Sequence, residues 1–169
     1  MRAARFRQAL VRQTLFGAGL ALGLGLAMPA SAQQRPYLLW LDGADLMLFT
    51  SASPGRGITH GEKLESAWWV EHINRAYASL FTTFVAHTNR VGFEDGLHFW
   101  GGATVFDPNG DLVAQGPYQE EAITVTELDL GQLHRTRARL PLLRDERHAL
   151  VRREIERITA GNNGASDKG

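Results

Sequence analysis

The chain has 169 residues, of which 44% are hydrophobic and 21% charged, enough apolar side chain for one domain with its own core and an argument against disorder. Its 18 basic and 18 acidic residues cancel formally, but Arg2, Arg5, Arg7 and Arg12 precede the first acid, Asp42, so the chain after residue 32 carries 14 basic against 18 acidic groups. A broad positive field is absent there, which speaks against nucleic acid as a partner, and the lack of any cysteine excludes disulfides, thiolate metal sites and thiol nucleophiles.

The first 32 residues read as an export leader. A basic, acid-free start runs into the apolar stretch 15–28, and Pro29 precedes Ala30-Ser31-Ala32, the small-residue pattern of a signal-peptide cleavage site. The apolar stretch is shorter than the roughly 20 residues a spanning helix needs, so no stable membrane span is expected. The expected location is periplasmic or secreted, the alternative being a cytoplasmic protein whose leader has no function. Residues 33–160 are expected to fold, and the Gly/Asn/Ser-rich residues 161–169 to form a flexible tail.

Residues 37–41 are apolar and end at Asp42-Gly43, the mark of a helix closed by glycine. Residues 44–50, with Leu46, Met47, Leu48 and Phe49 in succession, predict a strand buried on both faces. A loop with Pro54, Gly55 and Gly57 leaves it. Over 62–81, Leu64, Trp68, Trp69, Ile73, Ala76, Tyr77 and Leu80 recur at three- and four-residue spacing, so a long helix is expected whose apolar face a sheet or helix must cover. A strand follows over 82–88. Residues 103–106 and 111–115 flank Asp107-Pro108-Asn109-Gly110, a strong hairpin signal, and 122–128 alternate as another strand. The last elements are a helix over 130–140, interrupted by Pro141, and a charged helix over 144–159. The arginines between 135 and 157 read as a solvated or subunit-facing surface. This order predicts an α/β fold, a mixed sheet with flanking helices.

Several stretches together carry a likeness. They are Leu41-Asp42-Gly43-Ala44-Asp45, Thr50-Ser51-Ala52-Ser53-Pro54, His87-Thr88-Asn89-Arg90-Val91-Gly92, Phe99-Trp100-Gly101-Gly102-Ala103, Asp107-Pro108-Asn109-Gly110 and Leu128-Asp129-Leu130. In this order, over roughly residues 36–158, the chain resembles the C-terminal half of a carbon–nitrogen hydrolase of the nitrilase superfamily. The resemblance implies part of an α-β-β-α sandwich. It also implies a chemistry of cysteine nucleophile, glutamate base and lysine, acting through an acyl-thioester. The resemblance places that cysteine near Ala27, and the glutamate and lysine in a first half without counterpart here. Lys63 and Lys168 lie in other segments. The chain therefore reads as a carbon–nitrogen hydrolase relative with no catalytic residue. The alternatives are an exported binding protein that keeps the pocket walls, or a truncated gene remnant.

By the same resemblance, Ser51, Ser53, Pro54, Asn89, His98, Phe99 and Trp100 are the substrate-pocket candidates, with a small amide or nitrile as ligand. Each keeps a plain structural alternative. Ser51 and Ser53 suit turns, Asn89 and Glu94 suit loop backbone partners, and Phe99 and Trp100 suit a core. Gly101-Gly102 suggests a bulge or a close backbone approach. A Ser–His–Asp set drawn from Ser53, His87 or His98, and Asp95 lacks a Gly-x-Ser-x-Gly elbow. The six histidines show no metal-binding spacing, so neither metal nor cofactor is expected. Half a sandwich leaves apolar faces that a homo-oligomer would cover, through the helix at 62–81 and the C-terminal helix.

Overall fold

The computed structural model describes residues 9–12, 31–57 and 63–163; the apolar stretch of the expected leader and residues 164–169 lie outside them. In chain order the first elements are β1 (Ala9–Arg12), α1 (Ser31–Leu41), β2 (Leu46–Ser51), α2 (Glu65–Leu80) and β3 (Phe84–Asn89). Next come β4 (Val91–Glu94), β5 (Leu97–Trp100), β6 (Thr104–Phe106), β7 (Leu112–Gln115) and β8 (Ile123–Thr126). The chain closes with α3 (Leu130–Arg139), α4 (Leu142–Asp145) and α5 (His148–Asn163). The tail expected from 161 thus begins inside α5. β1 falls within the expected leader and pairs antiparallel with β8.

Asp42-Gly43 ends α1 as its composition predicts. Gly43 adopts φ 86°, its N–H donates to Trp40 O at 2.9 Å, and Ala44 N–H donates to Leu39 O at 3.0 Å. These two bonds satisfy the last carbonyls and turn the chain into β2. β2 and β3 then run parallel with α2 as crossover, in the register Met47↔Val85, Phe49↔His87 and Ser51↔Asn89. β6 lies antiparallel on the other side of β3, and β7 antiparallel on β6. The result is a mixed sheet of order β2-β3-β6-β7 with flanking helices. Parallel pairing brings the carboxyl ends of β2 and β3 side by side, which assembles the candidate site.

One face of the sheet carries a dense core. Trp40, Met47, Ala78, Val85 and Phe106 are buried together, with Tyr37, Phe49, Tyr77 and Phe81 around them. Tyr77 and Phe81, one turn apart on α2, stack at 5.8 Å between ring centroids. The opposite face is thinner, built on Ala86, Ala103 and Val105 with Leu46, Ala114 and Leu128. That thinness corrects the expectation for β2, because Leu48 is 66% exposed and the strand is buried on one face only.

The expected apolar face of α2 is corrected in part: Tyr77 packs on the core as expected, and Leu64, Ile73 and Ala76 are half-buried. Trp68, Trp69 and Leu80 are exposed, whereas Ala67, Asn74 and Ala78 are the buried residues. The two tryptophans are left on the outer surface. The expected helix over 144–159 is split into α4 and α5, since Glu146 turns to extended backbone (ψ 131°) and accepts a hydrogen bond from Tyr37 Oη at 3.0 Å. Arg137 departs from the solvated run: its Nε donates to Thr82 O at 3.1 Å, and its Nη atoms donate to Ala44 O at 2.8 Å and Asp45 Oδ1 at 2.6 Å. Among the described residues, no helix is long and apolar enough to cross a membrane.

Candidate functional site

At the carboxyl ends of β2 and β3, four polar residues close on one another. Asn89 is 1% exposed. Its Oδ1 accepts from Ser51 Oγ at 2.8 Å and from Ser53 N–H at 2.7 Å, and its Nδ2 donates to Ser53 O at 3.1 Å. Ser51 Oγ also lies 2.9 Å from His87 Nε2. The register explains the grouping: Ser51 and Asn89 are directly paired, and His87 sits two residues back on the same face of β3. Burial pushes the His87 imidazole down to about 4, because the charged form would have to leave water.

Beside this group lies the returning hairpin. β4 and β5 pair antiparallel around Asp95-Gly96, and Pro54 forms a bridge with Phe99. Gly55 N–H donates to His98 O at 2.6 Å. Phe99 is buried beneath the Arg90 guanidinium, 4.8 Å from its ring centroid, while His98 is half-buried and stacks on the exposed Phe93 at 4.6 Å. Trp100 is fully buried and stacks on His87 at 6.0 Å. The Gly101-Gly102 expectation of a close approach holds. A Cβ on Gly102, which adopts φ 70°, would fall 2.6 Å from the Tyr118 ring and 2.9 Å from that of Trp100.

The seven expected residues fall into two linked groups. Ser51, Ser53 and Asn89 form a hydrogen-bonded group. Pro54, His98, Phe99 and Trp100 form a packed one, and the His87–Trp100 stack joins the two. A Ser–His–Asp set is not assembled, since Ser53 engages through its backbone and Asp95 stands exposed at the hairpin turn.

Sequence reasoning missed a charged cluster beside Trp100. Lys63 Nζ donates to Glu71, Tyr118 Oη donates to the other oxygen of Glu71, and Gln115 donates to Tyr118. The Tyr118 ring lies 6.3 Å from that of Trp100. Burial raises the Tyr118 phenol, and Glu71 adds to it. For Lys63, burial works to lower the ammonium, but hydrogen bonds to Glu71 and Tyr118 outweigh it and the net shift is upward. The lysine is thus held as a paired cation, not as a base. Its partners are 8 residues away along the chain and, from Glu71, a further 47, so no local spacing announces them. Among the described residues, no group of His, Asp or Glu is placed to hold a metal ion. Two surface grooves lie elsewhere, one along Thr82, Arg137 and 140–144, the other along Asn109, Gln132, Arg135 and Arg139.

A family model for carbon–nitrogen hydrolases matches residues 21–138, more than half of the chain. The chain belongs to the carbon–nitrogen hydrolase family. A glutamine-dependent NAD(+) synthetase of Aquifex aeolicus is 37% identical to this member over 97 residues, which are 57% of this chain and 16% of that protein. A carbon–nitrogen hydrolase from Helicobacter pylori superposes with a TM-score of 0.59 at 26% identity, over 68% of this chain and 42% of its own. A variant of an amidase from Nesterenkonia sp. AN1, in which the acetamide moiety of fluoroacetamide is covalently added at the active-site cysteine, superposes with a TM-score of 0.51 at 26% identity, over 70% and 39%. This family member spans less than half the length of these relatives. The match to the family includes residue 27, an alanine, and the member has no cysteine anywhere.

Proposed function

We propose that this carbon–nitrogen hydrolase relative does not turn over amides or nitriles by the family's thiol route, and that its wall binds a small amide. The observation that carries the reading is the absence of any cysteine in a chain that matches the family across the position where the resemblance expects the nucleophile. Support for an amide as ligand comes from the amidase relative that carries an acetamide moiety at its site, and from the wall's mixture of buried aromatic surface and a few fixed polar groups. The test is ammonia release from short aliphatic amides and nitriles by the purified chain, alongside acetamide titration followed by NMR. Saturable shifts at Asn89 and Trp100 without ammonia release are expected; turnover above background would sink the proposal.

Two further parts of the reading have their own tests. Export rests on the basic, acid-free start and Ala30-Ser31-Ala32, and an intact Met1 on protein recovered from cells would exclude it. Self-association through α2 and α5 rests on exposed Trp68, Trp69, Ile155 and Ile158. A monodisperse monomer in light scattering would overturn it.

A further inference from the structure

We propose that His87 is a positioning residue: locked as the Nε2–H tautomer, it donates to Ser51, directs the Ser51 hydroxyl onto Asn89, and so sets the backbone of Ser53. The proposal rests on reading Ser51, Ser53 and Asn89 as part of the site wall, and it goes beyond that reading by assigning the protons along the His87–Ser51–Asn89 relay.

The assignment starts at Asn89. Its amide is oriented by two opposed bonds to one residue, since Ser53 N–H needs an acceptor at 2.7 Å and Ser53 O needs a donor at 3.1 Å. Reversing the amide would set NH2 against N–H and carbonyl against carbonyl, so the oxygen faces Ser53 N–H. That oxygen only accepts. Ser51 Oγ lies 2.8 Å from it and owns a single proton, which must therefore point to Asn89. What Ser51 offers His87 across 2.9 Å is a lone pair, and the contact is a hydrogen bond only if Nε2 carries hydrogen.

The ring's surroundings keep it neutral. His87 is 3% exposed. Among the described residues, those bonded to it, stacked on it or paired with it across the strands are Ser51, the Trp100 ring, Phe49 and Thr104, none of them ionisable near neutrality. With Nε2 protonated and the ring neutral, Nδ1 is bare, in keeping with its lack of a donor among the described residues. The consequence for chemistry is direct. A serine beside a histidine looks like a nucleophile with its base. Here the serine proton is turned away from the histidine, and the facing nitrogen has no lone pair to receive it. The pair holds the loop after β2 in place; it does not activate an oxygen.

The experiment is a long-range proton–nitrogen correlation of the imidazole in the full-length, nitrogen-labelled protein at neutral pH. Protonated Nε2 and bare Nδ1 are expected; a ring protonated at Nδ1, alone or together with Nε2, would overturn the proposal. His87→Gln, whose side-chain amide can donate from a similar place, should keep the slow exchange of the Ser53 amide. His87→Leu should speed that exchange roughly tenfold or more, and an unchanged rate in a folded variant would count against the positioning role. If His87→Leu does not fold, Ser51→Ala breaks the same relay one step later and carries the same expectation. A failure of acetamide to bind would remove the wall reading and leave the tautomer result standing, so the two are told apart.

Discussion

The two ends of the β2–β3 pair are each closed by one polar side chain, in opposite ways. At the amino end, Arg137 reaches from α3 to the carbonyls of Ala44 and Thr82 and to the Asp45 carboxylate. It keeps partial solvent contact, its side chain 23% exposed, and its partners are 55 to 93 residues away. At the carboxyl end, Asn89 does the same work from within β3, neutral and sealed from water. A permanent charge can clamp strands only where water still reaches it, because full burial of an ion costs more than its bonds return. A neutral amide has the opposite requirement: each of its bonds gains most where no water competes. The contrast separates a solvent-tolerant charged brace from a buried neutral one.

The sharpest way to break that contrast is Asn89→Ala. It leaves Ser53 N–H, Ser53 O and the Ser51 hydroxyl without their partner in a part-buried place, and a loss of about 3–4 kcal/mol in urea unfolding is expected. A loss below about 1 kcal/mol would mean that water replaces the amide and that the wall is not sealed.

Next in size is a pH effect confined to the carboxyl end. His87 titrates at about 4 when folded and near 6.5 when unfolded, so between these values the unfolded chain binds the extra proton. Stability is therefore full above about pH 6.5 and is lost as pH falls toward 4, by up to about 3 kcal/mol. His87→Gln should remove that component from the pH dependence of the unfolding midpoint; the same slope in both proteins would contradict it.

At the amino end, Arg137→Ala should cost about 2 kcal/mol, mainly from the two carbonyls left unpaired. The Asp45 share should shrink in high salt, since that carboxylate side chain is 57% exposed. Asp45→Asn alone should cost under about 1 kcal/mol, and a larger loss would make the ion pair, not the carbonyl bonds, the brace. The smallest effect is expected far from both ends. Trp69→Ser on the outer face of α2 should change monomer stability by no more than about 0.5 kcal/mol, while reducing any self-association seen in light scattering.

Much of the fold was legible where the signal is local. The hairpin around Asp107-Pro108-Asn109-Gly110 forms as read, with Gly110 N–H donating to Asp107 O at 2.8 Å and the Asp107 carboxylate accepting from Asn109 and Asp111, because an aspartate before Pro-Asn-Gly carries its own turn geometry. The β4–β5 hairpin is equally local, turning at Asp95-Gly96. The face of α2 was misjudged for a different reason. Periodicity gives the angle between apolar and polar stripes, but not which stripe a neighbour will cover when both contain apolar residues. The stripe of Ala67, Asn74 and Ala78 is the one that is buried.

For the site, the sequence by itself determined the family and the absence of a thiol, and it named seven candidate residues. Those are matters of residue type and order, which motifs carry along the chain. Only the tertiary structure decided that Ser51 and His87 meet at hydrogen-bond distance, that Asn89 is turned toward Ser53, and that Lys63, Glu71 and Tyr118 gather beside Trp100. The physical reason is the parallel register of β2 and β3: it sets residues 36 to 38 apart within about 3 Å of one another, and no spacing in the chain encodes that register.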